Sequence, residues 1–380
     1  MPNHSKIAIV YDWLDKWGGV ERVLLELKYL FPKADFYTSY QNLEKAAWAR
    51  KLQAKTSFIQ KLPDFIKKNR ILSLPFYPYA FEAFDFSDYQ LVISVSSSFA
   101  KAVITKPNTL HICYLLTPTR YFWFQKHLYF KNKTLNFFVA PYLNSLKRWD
   151  LVASKRPDIL ISISNTVAKR TNKYYQRDSQ VIYPPFDEDY WNKIKSQITN
   201  SKLQINLKFK ISNSKFFLVV SRLEPYKKVD LVINAFNKKP NLNLIIVGQG
   251  SEEKRLKQMA KKNITFLPYL SDSELGQLYA SAEALVMPQE EDFGYVSLEA
   301  QFFGCPVIAY RKGGGEETVI ENITGIFFND QNQESLVVAL ERFGKLSYNL
   351  KQSTKVNGPK QGQKFNRGNF EKKFLDLIKN

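Results

Sequence analysis

Leu242-Asn-Leu-Ile-Ile-Val-Gly-Gln-Gly-Ser-Glu-Glu-Lys-Arg-Leu-Lys-Gln-Met-Ala260 reads as one complete repeat of an α/β protein. Residues 242–247 form a short apolar run rich in branched side chains, the pattern of a strand buried on both faces. Gly248 and Gly250 turn the chain, and residues 252–260 carry it on as a helix. The alternation extends in both directions. Before this stretch come a strand at 216–220 and a helix at 229–236; after it come strands at 264–267, 284–287 and 305–309. Ser271-Asp-Ser-Glu274 is a capping box that opens a helix between the first two of these. A helix at 296–303, closed by Gly304, separates the last two. Such repetition predicts a doubly wound parallel sheet.

The amino-terminal half repeats the theme. Ile7-Ala-Ile-Val-Tyr11 is a buried strand, Gly18-Gly19 punctuates, and Val20, Val23, Leu24, Leu27 and Leu30 have helical spacing. Further strands are expected at 91–95, 110–115, 159–163 and 180–183. The expected organisation is an α/β fold of two Rossmann-like domains: 1–190, a linker at 191–214, then 215–363, with a closing helix at 364–380 packing toward the first domain. The polar stretches 187–214 and 345–368 read as connection and loop. Ligands of open α/β sheets sit at the carboxyl ends of strands, so a cleft between two such domains is the expected site.

A chain of 380 residues suits two domains. Its net charge of +20 calls for an anionic partner: phosphorylated substrate, anionic membrane surface or nucleic acid. No run reaches the roughly 18 apolar residues of a membrane span. The polar start, Met1 to Lys6, lacks the pattern of a secretory signal. Cys113 and Cys305 read as separate buried thiols, and the three histidines form no His/Cys cluster of metal-ligand spacing. A cytoplasmic protein without a metal cofactor is expected.

Two segments carry chemistry. In Met287-Pro-Gln-Glu-Glu-Asp-Phe-Gly-Tyr-Val-Ser-Leu-Glu-Ala300, Glu291 lies in a loop past a strand end, and a helix starts near Gly294. The amides of Gly294, Tyr295 and Val296 would point out of that helix start and suit an anion. Glu291 could accept hydrogen bonds from sugar hydroxyls and Glu299 could bind a ribose diol; alone, the pair reads equally as an acidic loop and a solvated helix face. In Ser221-Arg-Leu-Glu-Pro-Tyr-Lys-Lys228, Arg222 and Lys227 stand at another strand end, where a diphosphate would sit. Alone, they read as surface cations.

Together the segments resemble glycosyltransferase family 4, the retaining family of GT-B fold. Pro288, Glu291, Phe293, Gly294, Glu299 and Ala300 fall on its paired-glutamate motif. The resemblance implies Arg222 and Lys227 on the donor diphosphate, Glu291 at the sugar hydroxyls and Glu299 on the ribose. Phe293 and the amides that follow it would approach the donor, and Gly18 and Gly19 would form the glycine loop over the diphosphate. By its place past a strand end, Gly248 would lie near the base. No metal or other cofactor is implied. Tyr11-Asp-Trp-Leu14, Gly18-Gly-Val-Glu-Arg22, Thr117-Pro-Thr-Arg-Tyr121, Trp149-Asp150 and Val181-Ile-Tyr-Pro-Pro185 look like the bacterial O-antigen mannosyltransferase subgroup, which implies mannose from GDP-mannose. Leu116 departs from the pattern, for it stands where the family has a histidine near the donor sugar. His111 reads as structural, and His127 as a residue of the aromatic, basic stretch.

Residues 120–178 hold twelve Lys/Arg against three Asp, with many aromatics. Leu135, Phe138, Tyr142, Leu146 and Trp149 have helical spacing; such a face suits either a core or an anionic membrane surface. The sequence thus leads to a hexosyltransferase acting on a nucleotide-sugar donor and a saccharide or lipid-linked saccharide acceptor. It would work in surface polysaccharide biosynthesis, peripheral on the inner membrane face. A non-catalytic sugar-nucleotide-binding relative, suggested by Leu116, and a nucleic-acid-binding protein are the alternatives.

Overall fold

The computed structural model describes residues 6–125, 133–200 and 215–379. The chain forms two units: Met1–Pro185 with Phe370–Asn380, and Phe186–Asn369.

The first unit is built on a parallel sheet of seven strands: β1 (Ile7–Tyr11), β2 (Asp35–Thr38), β3 (Lys55–Thr56), β4 (Leu91–Ser96), β5 (Leu110–Leu115), β6 (Ile159–Ser162) and β7 (Gln180–Val181). Their order is β3-β2-β1-β4-β5-β6-β7. All six residues of β4 are buried, as expected of an apolar run covered on both faces. The helix Arg367–Lys379 brings Phe370 and Phe374 onto Tyr114, with ring centroids 5.8 and 6.5 Å apart. The expected docking of the carboxyl terminus on the first unit is therefore observed.

The second unit has six parallel strands: β8 (Phe216–Val220), β9 (Asn243–Val247), β10 (Ile264–Leu267), β11 (Leu285–Met287), β12 (Val307–Tyr310) and β13 (Gly325–Phe328). Their order is β10-β9-β8-β11-β12-β13. From β8 the chain winds outward through β9 and β10, then crosses to β11 on the other side of β8. The strand order therefore reverses between β8 and β11, which pair at Leu218 and Leu285. The capping box forms as expected, with Ser271 and Glu274 bonded reciprocally at the start of the helix Asp272–Ser281.

Three expectations need correction. The stretch 187–214 is not all connection: Glu188–Asn200 is a helix of the second unit, and residues 201–214 lie outside the described residues. Trp191 explains its attachment, for it is 1% exposed and packs edge-on against Phe303 at 5.8 Å. The boundary thus falls after Pro185, not after residue 190. Residues 345–363 are not loop but part of a 31-residue helix, Gln333–Gln363. Strands β2, β3 and β13 were not anticipated.

The basic, aromatic stretch contains the helix Lys133–Ala153, with Pro141 inside it. Of the expected stripe Leu146 is buried and Tyr142 is 41% exposed; Leu143, next to Tyr142, is buried as well. His127 and the side chains of Leu135 and Phe138 lie outside the described residues.

Candidate active site

The reversal of strand order in the second unit lies between β8 and β11, and the loops leaving their carboxyl ends carry the candidate residues. Such a switch point is where open α/β sheets bind ligands, because adjacent loops part to opposite sides there.

After β8 the chain runs through Ser221 and Arg222 into a 3-10 turn, Pro225–Lys227. Lys228 adopts a left-handed conformation (φ 54°), and the helix Val229–Asn237 follows. The turn delivers Lys227 to Glu291, in the loop after β11, where the ammonium donates to Oε1. Their side chains are only 12% and 17% exposed. Gln289 donates from Nε2 to the same oxygen at 2.5 Å. Burial raises the pKa of Glu291, but the Lys227 charge and the hydrogen bonds from Lys227 and Gln289 outweigh it. The carboxyl is held below its ordinary value and stays ionised. Arg222 is exposed and donates to the Tyr226 hydroxyl at 2.6 Å. Both cations lie near the Tyr226 ring, Arg222 at 5.9 Å and Lys227 at 5.6 Å.

Gly248 and Gly250 set this loop in place. A Cβ on Gly248, whose φ is +142°, would lie 1.9 Å from the Ser221 carbonyl oxygen; one on Gly250 would lie 2.3 Å from that of Leu223. Only bare backbone lets the loop after β9 approach so closely. Leu223 N donates to Gln249 O, and Glu252 N to Leu223 O, both at 2.9 Å. Ser251 donates to Glu224 at 2.7 Å. The structure thus gives Gly248, expected near the donor base, a packing role behind Arg222.

On the other flank Gly314 N donates to Glu291 O at 2.7 Å. A Cβ on Gly313 or Gly314 would come within 2.4 Å of Glu291 O or 2.2 Å of Phe293 O. These glycines, in the loop after β12, escaped the sequence reading, although a Gly-Gly-Gly run after a strand end is itself a signal of close backbone approach.

Gly294 has φ +102°, a left-handed conformation that glycine adopts without steric cost, and it opens the helix Tyr295–Phe302. Ser297 ties that start together by donating to Gly294 O at 2.8 Å. The leading amides of any helix have no intrahelical acceptor and, with the dipole, favour an anion. Tyr295 and Val296 stand half-buried at this start. Phe293 is instead buried, its ring edge-on to Tyr295 at 5.2 Å and to Phe365 at 5.3 Å. Its side chain anchors the turn from inside. Glu299 is 4% exposed and accepts from the Tyr279 hydroxyl at 3.1 Å. The structure therefore joins Lys227 to Glu291 directly and Arg222 to them through Tyr226, while Glu299 lies along the helix that begins at Gly294. Tyr226, Gln289 and Tyr279 had no motif to mark them.

The first unit has its own reversal, between β1 and β4. Asp12, fully buried after β1, accepts from Ser97 N and Oγ (2.7 and 2.9 Å), Phe99 N (2.8 Å) and Ala100 N (2.7 Å). Gly18 follows in extended backbone (φ −177°) and Gly19 begins the helix Gly19–Leu30. Leu116, 5% exposed, lies just past β5 and donates its N–H to Ser96 O at 2.8 Å. Beyond it, Lys101 and Asp150 form a wholly buried ion pair at 2.6 Å. Asp150 also accepts from Thr119 (2.7 Å), Trp123 (2.7 Å) and Tyr175 (2.9 Å). Thr119 and Asp150, from two of the segments quoted for the mannosyltransferase subgroup, thus meet in a polar knot of the first unit. His111 is fully buried with Nε2 2.8 Å from Ser94 Oγ, in keeping with a structural part. Cys113 and Cys305 are buried free thiols, each pushed up to about 12 by burial.

Among the described residues no group of three or more His, Cys, Asp or Glu is placed to hold a metal ion, and no helix is long and apolar enough to cross a membrane.

The chain has the GT-B fold of two parallel-sheet units with flanking helices. Sucrose-phosphate synthase of Thermosynechococcus elongatus matches over 99% of this chain and 98% of its own, with TM-score 0.75 and 16% identity. Anabaena HepE in complex with UDP matches over 98% and 99%, with TM-score 0.72 and 18% identity. Within that fold, residues 200–361 match the family described as glycosyl transferases group 1. Among curated relatives, an uncharacterized glycosyltransferase of Methanocaldococcus jannaschii is 30% identical over 139 residues, 34% of this chain and 36% of the relative. The D-inositol 3-phosphate glycosyltransferase of Mycobacteroides abscessus is 32% identical over 132 residues, 32% and 30% of the two chains. An alpha-1,3/1,6-mannosyltransferase of Dictyostelium discoideum is 27% identical over 199 residues, 44% and 47%. The chain thus spans about a third to a half of the length of these relatives.

Proposed function

We propose that this protein is a retaining glycosyltransferase that moves a hexose from a nucleotide sugar to a saccharide acceptor. The observation that carries this reading is the Lys227–Glu291 contact at the switch point of the second sheet, with Arg222 beside it and a helix start three residues on. Lys227, Arg222 and the helix-start amides neutralise the donor diphosphate. Ionised Glu291 accepts hydrogen bonds from the sugar hydroxyls, and Glu299 serves the ribose. The bond from the sugar's anomeric carbon to the phosphate oxygen breaks as the acceptor oxygen attacks from the same face. The acceptor's hydroxyl proton passes to the departing phosphate. No protein nucleophile is assigned. Fixed positive groups aimed at the charge that develops on the leaving group supply the stabilisation. Protein cations provide the counter-charge, so transfer is expected to survive chelation of divalent metals with EDTA.

We assign the donor as GDP-mannose, on the residues shared with the mannosyltransferase subgroup. A UDP-hexose is the second reading, supported by the Anabaena HepE structures solved with UDP and UDP-glucose. The acceptor is a lipid-linked saccharide of surface glycan synthesis, met at the inner membrane face, where the net charge of +20 favours anionic lipid. The side chain of Leu116 offers no hydrogen bond, so the sugar contact of the usual histidine passes to other groups.

A thermal-shift series with GDP-, UDP- and ADP-sugars identifies the donor, since a ligand of the folded state raises its midpoint. Radiolabelled transfer from that donor then tests the site. Glu291→Ala is expected to abolish transfer with the thermal midpoint little changed. Full activity in that variant would refute the assignment.

A further inference from the structure

Gln289 follows Pro288 in the loop after β11 and is 5% exposed. Its Nε2 and the Lys227 ammonium both donate to Oε1 of Glu291. Two donors converging on one carboxylate oxygen fix the rotation of the whole group. The amide of Gln289 cannot be reversed, because its own oxygen would then face a carboxylate oxygen 2.5 Å away, acceptor against acceptor. The orientation it must hold leaves Gln289 Oε1 buried without a partner in the protein. Buried polar atoms are nearly always paired, so an exception asks for a reason, and the carboxylate two residues on supplies one. The backbone of the loop is held independently, by Gln331 Nε2 on Pro288 O at 2.9 Å and by Gly314 N on Glu291 O at 2.7 Å. What Gln289 controls is therefore the side chain of Glu291. Among the described residues no donor reaches the other carboxylate oxygen, Oε2.

Given the transfer reaction proposed above, we infer that Gln289 is a positioning residue: with Lys227 it occupies Oε1 of Glu291 and leaves Oε2 to receive a hydroxyl of the donor hexose. The charged groups that act most on Glu291 are Lys227, from the loop after β8, and Asp292 in its own loop. Neither changes when Gln289 is replaced.

Gln289→Met keeps the length of the side chain and removes both its donor and its unpaired oxygen. The variant is expected to fold with a thermal midpoint at or above that of the wild type. By calorimetry, GDP and UDP, which carry no sugar, are expected to bind within twofold of wild type. The sugar nucleotide that the wild type turns over is expected to bind more weakly, with kcat down at least tenfold. The acidic limb of the pH–rate profile is expected to move up, because Glu291 loses a hydrogen bond to its charged form. Gln289→Glu sets carboxylate against carboxylate and is expected to be poorest at pH 8 and to recover partly at pH 6, where the pair shares a proton. Should the Met variant fail to fold, this pH dependence decides, and its absence overturns the inference. Equal loss of affinity for bare diphosphates and sugar nucleotides would mark Gln289 as merely structural. Wild-type kcat in Gln289→Met, with an unmoved profile, would overturn the role of Gln289 and leave the transferase reading standing. A wild-type protein that bound no sugar nucleotide more tightly than its diphosphate would overturn both.

Discussion

Lys227 decides the charge state of the group it touches. Its ammonium lies on Oε1 of Glu291 in a half-buried setting, where water screens little of the attraction. Lys227→Ala leaves that carboxylate with one donor, from Gln289, and its pKa must rise. Transfer is expected to fall roughly a hundred- to a thousandfold, as for loss of one fixed donor at a charged transition state. The acidic limb of the pH–rate profile is expected to shift upward as well, which steady-state kinetics between pH 4 and 8 would register. Lys227 and Glu291 were marked in the sequence by their places past strand ends taken together with the resemblance to family 4, since alone they read as a surface cation and an acidic loop. Their mutual contact was not, since it joins residues 64 apart that only the β8–β11 pairing brings together. Gln289 and Tyr226 were illegible for a related reason: an amide and a phenol acquire a role only from the partners that the fold presents to them.

Among the elements, five of the six strands of the second sheet were read closely, because continuous apolar runs between glycines admit few alternatives, while β13 was missed. The helix Gln333–Gln363 shows the opposite. Its first half carries an apolar stripe of Leu336, Ala339, Leu340 and Phe343, but its second half buries Leu350, Thr354, Gly358, Gln361 and Gly362. Small and polar residues hold the stripe there, so its period fades into what looks like loop, and Pro359 deepens the impression. Gly358 has a steric reason: a Cβ would meet the Gln301 carbonyl oxygen at 1.9 Å. Gly344 has none, with nothing within 4 Å of its would-be Cβ. Opposite outcomes are expected in denaturant titration. Gly344→Ala should stabilise by about 0.5–1 kcal/mol, the helix-interior difference between the two residues. Gly358→Ala should destabilise by roughly 1–3 kcal/mol, the range for overpacking.

For the molecule as a whole, stability carries a signature of its first unit. Burial, then the positive charges of Arg156 and Arg177, pushes His111 down to about 3 from an ordinary 6.5. Between those values the unfolded chain binds a proton that the folded chain refuses, so stability falls as pH drops through that window. From pH 7 to pH 5 this group alone is expected to remove about 2 kcal/mol. His111→Asn, compared with wild type in denaturant at both pH values, should lack that increment. The two-unit organisation was readable from the two runs of alternating elements; the boundary at Pro185 was not, because a helix anchored by one tryptophan looks from its composition like a tether. The pair of Lys101 and Asp150, wholly shut away from solvent, has one more consequence. An amine-reactive label will modify the many surface lysines at once and pass over this one for as long as the unit stays closed. Peptide mapping of Lys101 over time would therefore act as a clock, ticking only when the first unit opens, and would time those openings without any ligand or assay of activity.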